Sequence, residues 1–125
     1  MVVRKPRTIL VVDRDPVMTT LISEVLHEAG YRVQTAAGRA AALAVWRVHP
    51  PDLILIDVSM PRMSGRELLH AAALEGLAPV PAILMTAAHP IALRAWGRDA
   101  ATYLFKPFDM VELLASIERA LDDAP

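Results

Sequence analysis

Cysteine is absent from the 125 residues, which excludes disulfides, thiolate metal centres and thiol redox chemistry. Aromatic residues are scarce at 5%, so the core has to be built from aliphatic side chains. No apolar stretch reaches the roughly 18 to 20 residues that span a bilayer, and no signal-peptide core follows the basic cluster Arg4-Lys5-Pro6-Arg7. A cytoplasmic location without membrane contact is the resulting expectation. The formal net charge is only -1, too balanced for the basic patch that direct nucleic-acid binding calls for. Glycine is missing where a nucleotide binder would need it: the loop after the first apolar run is Asp13-Arg14-Asp15-Pro16, which repels phosphate unless a metal intervenes.

What is present points to one globular unit. With 54% hydrophobic and 22% charged residues the chain can bury a real core unaided, and its length suits a single domain of ordinary size. We expect that domain to occupy 1–125, with 1–7 frayed and 122–125 a tail or linker. Five strand-like runs, near 8–12, 31–35, 52–57, 81–86 and 101–105, alternate with helical patterns, which favours an α/β domain with a mainly parallel sheet.

The first helix is expected to begin at Asp15-Pro16, an acidic cap followed by proline, and to stop at Gly30. Val17, Leu21, Val25 and Ala29 recur every four residues and mark its buried stripe. Further helices are expected over 38–48, from Ser64-Gly65 to Gly76, over 90–96, and from Asp109, where Glu112 completes a capping-box-like start. Leu113, Leu114, Ile117 and Leu121 supply the apolar face of the last helix; Trp96 is either a surface aromatic of the fourth helix or a packing residue, and Trp46 and Met63 share the packing reading. The polar and apolar alternation of Tyr31-Arg32-Val33-Gln34 marks an edge strand, unlike the continuously apolar runs that precede Asp13 and Asp57.

Strand ends carry the chemistry. In open α/β sheets, ligands bind beyond the carboxyl ends of the strands, where the strand order reverses. Asp13 and Asp15 follow the first strand, Asp57 ends the third, Thr86 the fourth, and Lys106 follows the fifth. Singly, Asp15 reads as a helix cap, Thr86 as a satisfied hydroxyl and Lys106 as a solvated cation. Jointly they form an acid pocket with a cation, suited to accepting a phosphoryl group.

That pattern resembles the receiver domain of two-component response regulators, on four segments: Ile9-Leu10-Val11-Val12-Asp13, Asp57-Val58-Ser59-Met60-Pro61-Arg62-Met63-Ser64-Gly65, Met85-Thr86-Ala87 and Tyr103-Leu104-Phe105-Lys106-Pro107-Phe108. The resemblance implies a flavodoxin-like (βα)5 doubly wound sandwich with a five-stranded parallel sheet in the order 2-1-3-4-5. It also implies that Asp57 is the phosphoacceptor, that Lys106 and Thr86 contact the phosphoryl oxygens, and that Thr86 and Tyr103 are the switch. The implied cofactor is Mg2+, held by Asp13, Asp57, the backbone carbonyl of Ser59 and, as an alternative ligand, Asp15. The Lys106-Pro107 bond is expected to be cis. Such a domain is not a conventional enzyme, since it catalyses only its own phosphorylation and dephosphorylation. Its implied partners are a histidine kinase or phosphotransfer protein, and an output domain or target reached through the fourth helix, fifth strand and fifth helix (90–96, 102–105 and 109–120). A homodimer formed on phosphorylation is open. Ser59 and Ala88 are placed to set water access, and neither is bulky or charged, so ordinary self-hydrolysis is expected.

One position departs from the family pattern. Arg14 stands where a second metal-binding acid is expected. Either it swings outward and costs metal affinity, or its guanidinium pairs with Asp57 and replaces the metal. The second outcome would make the domain a phosphorylation-independent interaction module, a pseudo-receiver. A metal-dependent phosphohydrolase is disfavoured, because Val58 and Ser59 follow Asp57 where such enzymes carry a second acid, and the chain has no room for a cap.

Overall fold

A computed structural model of the chain describes residues 5–58, 65–87 and 102–123. Each of the five strands expected from apolar runs forms: β1 (Thr8–Val12), β2 (Arg32–Ala36), β3 (Leu53–Asp57), β4 (Ala82–Thr86) and β5 (Thr102–Phe105). They make one parallel sheet in the order β2-β1-β3-β4-β5. The described helices are α1 (Pro16–Glu28), α2 (Arg39–Val48), α3 (Gly65–Leu74) and, closing the chain, α4 (Met110–Asp123). The helix expected over 90–96 lies outside the described residues, as do Met63 and Trp96. The last helix continues through Asp122 and Asp123, so these two residues are helical and not tail.

Side-chain alternation divides the core into two layers. Ile9, Val11, Leu53, Leu55, Ile83, Met85 and Leu104 face α1 and α4, meeting Ile22, Leu26, Leu113 and Ile117. Leu10, Val12, Ile54, Ile56, Ala82 and Leu84 face α2 and α3, meeting Leu43, Trp46, Leu68 and Ala72. Strands β1, β3 and β4 are covered on both sides, which is why their sequences run almost continuously apolar. Burying each large aliphatic side chain contributes about 1.5–3 kcal/mol, and these strands hold most of them. Strand β2 is an edge strand, as its alternation indicates, and Trp46 is a core residue.

The stripe expected on α1 is off by one position. Ile22 and Leu26 are buried, with Met18 packed against the same layer, whereas Val17 is 67% and Leu21 46% exposed, and Ala29 lies at the surface. The helix carries apolar doublets at Val17-Met18, Leu21-Ile22 and Val25-Leu26, so two neighbouring stripes share one four-residue step. The sheet takes the second of each doublet. Capping fixes the start as expected: the Asp15 carboxylate accepts the Val17 N–H at 3.0 Å, and Pro16 occupies the first helical position.

Gly65 sets the distance between α3 and the sheet. A Cβ placed there would lie 2.4 Å from Leu84 Cδ2 and 3.1 Å from Val58 Cγ1, both in the packed interior. Gly65→Ala should therefore destabilise the fold by about 1–3 kcal/mol in urea denaturation. Combined with Leu84→Ala it should cost less than the sum of the two single changes, because the cavity accepts the new methyl group; strict additivity would show that the close approach is not the cause.

Candidate functional site

Three site residues come together at the carboxyl edge of the sheet because their strands are in register. Ile9 pairs with Leu53 and Val12 with Ile56, so Asp13 and Asp57 end adjacent strands at the same level. Asp13, Asp57 and Lys106 each lie two residues beyond a side chain of the α1/α4 layer, Val11, Leu55 and Leu104 respectively. Strand pleating therefore carries them to a common side. The Lys106 amide donates to the Thr86 carbonyl at 2.8 Å, which anchors the residue after β5 to the end of β4. The Lys106-Pro107 peptide is cis, as expected.

Asp57 is 5% exposed and Asp13 4% exposed, so both carboxylates are almost withdrawn from water. Lys106 Nζ lies 3.2 Å from Asp57 Oδ1, forming a partly buried ion pair. Asp13 Oδ1 accepts the Asp15 N–H at 2.9 Å, while its buried Oδ2 has no hydrogen-bond partner among the described residues. Burial pushes the Asp13 carboxyl above its ordinary value of 3.8; the Asp15 amide opposes this, and the neighbouring Asp57 charge adds to it. A buried carboxylate oxygen without a donor, beside a second carboxylate, suits a hard divalent cation with oxygen ligands. Asp13 and Asp57 thus fit Mg2+. Among the described residues no cluster of three or more His, Cys, Asp or Glu side chains forms a metal site.

The other expected residues take different positions around this group. Asp15 is exposed, and its side chain caps α1. Arg14 is exposed and makes no hydrogen bond or ion pair among the described residues, while Lys106 is the cation seen on Asp57. Thr86 is buried at 1% exposure on the α2/α3 side of the sheet, by alternation from Leu84. Tyr103 shares that side, half-buried, with its ring stacked on Phe105 at a centroid distance of 6.4 Å. It also lines an apolar cavity of about 650 Å3 with Trp46, Leu69, Ala72 and Leu84. Ser59 and Ala88 lie outside the described residues. Two features were not anticipated from the residues. One is the Asp13 to Asp15 turn, whose signal is the Asp-x-Asp spacing; the other is the close approach at Gly65, signalled by a glycine inside a helix start.

The model of the response regulator receiver domain family matches residues 9–118. The chain belongs to that family. It is 34% identical over 119 residues to the probable transcriptional regulatory protein TcrX of Mycobacterium tuberculosis, covering 94% of this chain and 50% of TcrX. Against the DNA-binding transcriptional regulator NtrC of Azospirillum brasilense it is 37% identical, covering 92% of this chain and 24% of NtrC. It thus spans about half the length of the first curated relatives it matches, and less of others. Among solved structures, the chemotaxis response regulator CheY4 of Vibrio cholerae superposes with a TM-score of 0.83 at 30% identity, covering 93% of this receiver and 99% of CheY4. A receiver domain protein from Methanospirillum hungatei gives 0.81 at 29% identity, with 95% and 96% covered. Receiver domains serve two-component signalling, generally as non-enzymatic modules that work with a histidine kinase and bind Mg2+. Among the described residues of this receiver, no helix is long and apolar enough to cross a membrane.

The Asp13 carboxyl sets a sign for stability against pH. Its pKa is higher folded than unfolded, so between 3.8 and the raised value the folded state holds the extra proton. Its contribution to stability is therefore greatest below 3.8 and falls as pH rises through that window. In metal-free buffer, Asp13→Asn should be more stable than the parent at pH 7 in urea denaturation, and the gain should shrink as pH falls through the window. A variant less stable than the parent at neutral pH would contradict this reading.

Proposed function

We propose that the chain is a phosphoacceptor domain of a two-component phosphorelay, taking a phosphoryl group on Asp57 from a histidine kinase or phosphotransfer protein. The observation that carries this reading is the buried Asp57 carboxylate paired with Lys106 at 3.2 Å beside Asp13, whose buried Oδ2 has no hydrogen-bond partner among the described residues. A carboxylate oxygen of Asp57 bonds to phosphorus while the phosphorus–nitrogen bond of a phosphohistidine donor breaks. The electron pair leaves on the imidazole nitrogen, which takes up a proton, and an acyl phosphate remains. Lys106 is placed to follow the charge gathering on the transferred oxygens, and the buried surroundings strengthen that attraction. Mg2+ supplies further positive charge there when bound. Asp13 and Asp57 are its proposed ligands, together with the Ser59 carbonyl expected from the sequence, whereas the side chain of Asp15 is engaged by the α1 cap.

The added phosphoryl charge gives Thr86 and Lys106 a new acceptor and shifts an existing two-state equilibrium. Tyr103, on the same side of the sheet as Thr86 and beside an apolar cavity, has room to change rotamer in response. The signal then leaves through β5, α4 and the segment 90–96 to an output domain or target protein. A cytoplasmic location follows from the kinase partnership. The exposed position of Arg14 favours this reading over a phosphorylation-independent module, in which Arg14 would fill the acid pocket.

Incubation with Mg2+ and phosphoramidate, a small phosphorus–nitrogen donor, should produce an acyl-phosphate resonance in 31P NMR. Lys106→Ala should slow its appearance by about 10²-fold, the scale for losing one stabilising donor, while leaving far-UV circular dichroism unchanged. No acyl-phosphate signal from the parent chain at saturating Mg2+ would overturn the proposal.

A further inference from the structure

Arg14 is the residue the phosphoacceptor reading leaves without a role. It is held at the rim of the pocket by a pinned backbone: Asp13 Oδ1 accepts the Asp15 amide, Asp15 caps α1, and the Thr19 hydroxyl donates to the Asp15 carbonyl at 2.9 Å. Its neighbours in sequence are both acids, yet its guanidinium pairs with neither among the described residues. Each of those carboxylates already accepts a backbone N–H, and the buried Asp13 side chain turns inward while Arg14 stays in solvent. The backbone thus holds a permanently charged, planar donor one residue from the buried Asp13 carboxylate, on an exposed side chain with no partner among the described residues. Guanidinium groups bind phosphate oxygens bidentately and repel divalent cations.

We propose that Arg14 is a phosphoryl-recognition residue of this receiver: its guanidinium engages the anionic phosphoryl group of the incoming donor, strengthening donor capture at the expense of Mg2+ affinity. The proposal rests on Asp57 being the phosphoacceptor. It makes Arg14 act in opposite directions on the two ligands of one pocket. A residue that merely supports the loop would move both affinities the same way.

Two measurements on the whole chain separate the possibilities. Calorimetric titration with Mg2+ alone should give binding roughly tenfold tighter in Arg14→Asp than in the parent, with Arg14→Gln between them, because the change removes a repelling charge and adds an attracting one. At saturating Mg2+, the second-order rate constant for adduct formation from acetyl phosphate, read by intact mass, should fall roughly tenfold in Arg14→Gln, the scale of one charge-assisted hydrogen bond. Arg14→Lys should recover part of that loss. At limiting Mg2+ the order of parent and Arg14→Asp should reverse, since the variant then loads metal better. If Arg14→Gln reacts as fast as the parent at saturating Mg2+, or if Mg2+ affinity and rate change in the same direction, the proposal fails while the phosphoacceptor reading stands. If the parent forms no adduct at all, the phosphoacceptor reading fails and this one with it.

Discussion

Two carboxylates withdrawn from water side by side, Asp13 and Asp57, with the Lys106 ammonium drawn onto one of them, set the terms for the rest of this molecule. Burying like charges together is costly unless each finds compensation. Here the compensation is uneven: Asp57 has Lys106, and Asp13 has one backbone amide and one oxygen with no partner among the described residues. The raised Asp13 pKa is the thermodynamic trace of that imbalance. A pocket left short of positive charge is poised for a cation, which would offset the cost of burying both acids.

The scaffold can carry this cost because the sheet is covered on both sides. Helices α1 and α4 bury one layer and α2 and α3 the other, so the carboxyl edge is held by strands that are apolar almost throughout. Register brings Asp13 level with Asp57, and the bond between the Lys106 amide and the Thr86 carbonyl ties the fifth strand's exit to the fourth strand's end. Thr86 and Tyr103 lie toward the α2/α3 layer, away from the layer whose parity brings the acids and Lys106 together. The acids and Lys106 thus share one parity of the sheet, and the half-buried Tyr103 has the other, with its ring stacked on Phe105.

Much of this was legible in the residues. Buried parallel strands announce themselves as continuous apolar runs, and the polar alternation near Arg32 and Gln34 placed β2 at the edge, where it lies. The meeting of Asp13, Asp57 and Lys106 followed from their shared position at strand ends. Periodicity was a poorer guide where α1 offers two equivalent stripes, since Val17 and Leu21 match the helical repeat as well as Met18 and Ile22 do; contact with the sheet decides between them. The orientation of Arg14 was open for a different reason. A flexible cation between two acids has several electrostatically reasonable poses, and residue types alone do not select the exposed one it adopts.

Locating the phosphoryl group on the chain tests the role of Asp57 most directly. After treatment with acetyl phosphate and Mg2+, borohydride reduction converts an aspartyl phosphate to homoserine, and peptide mass spectrometry finds its position. A single homoserine at residue 57, absent without Mg2+, is the expected result. Homoserine at residue 13 or 15, or none at any Mg2+ concentration, would contradict the assignment of this pocket as a phosphoacceptor site built around Asp57.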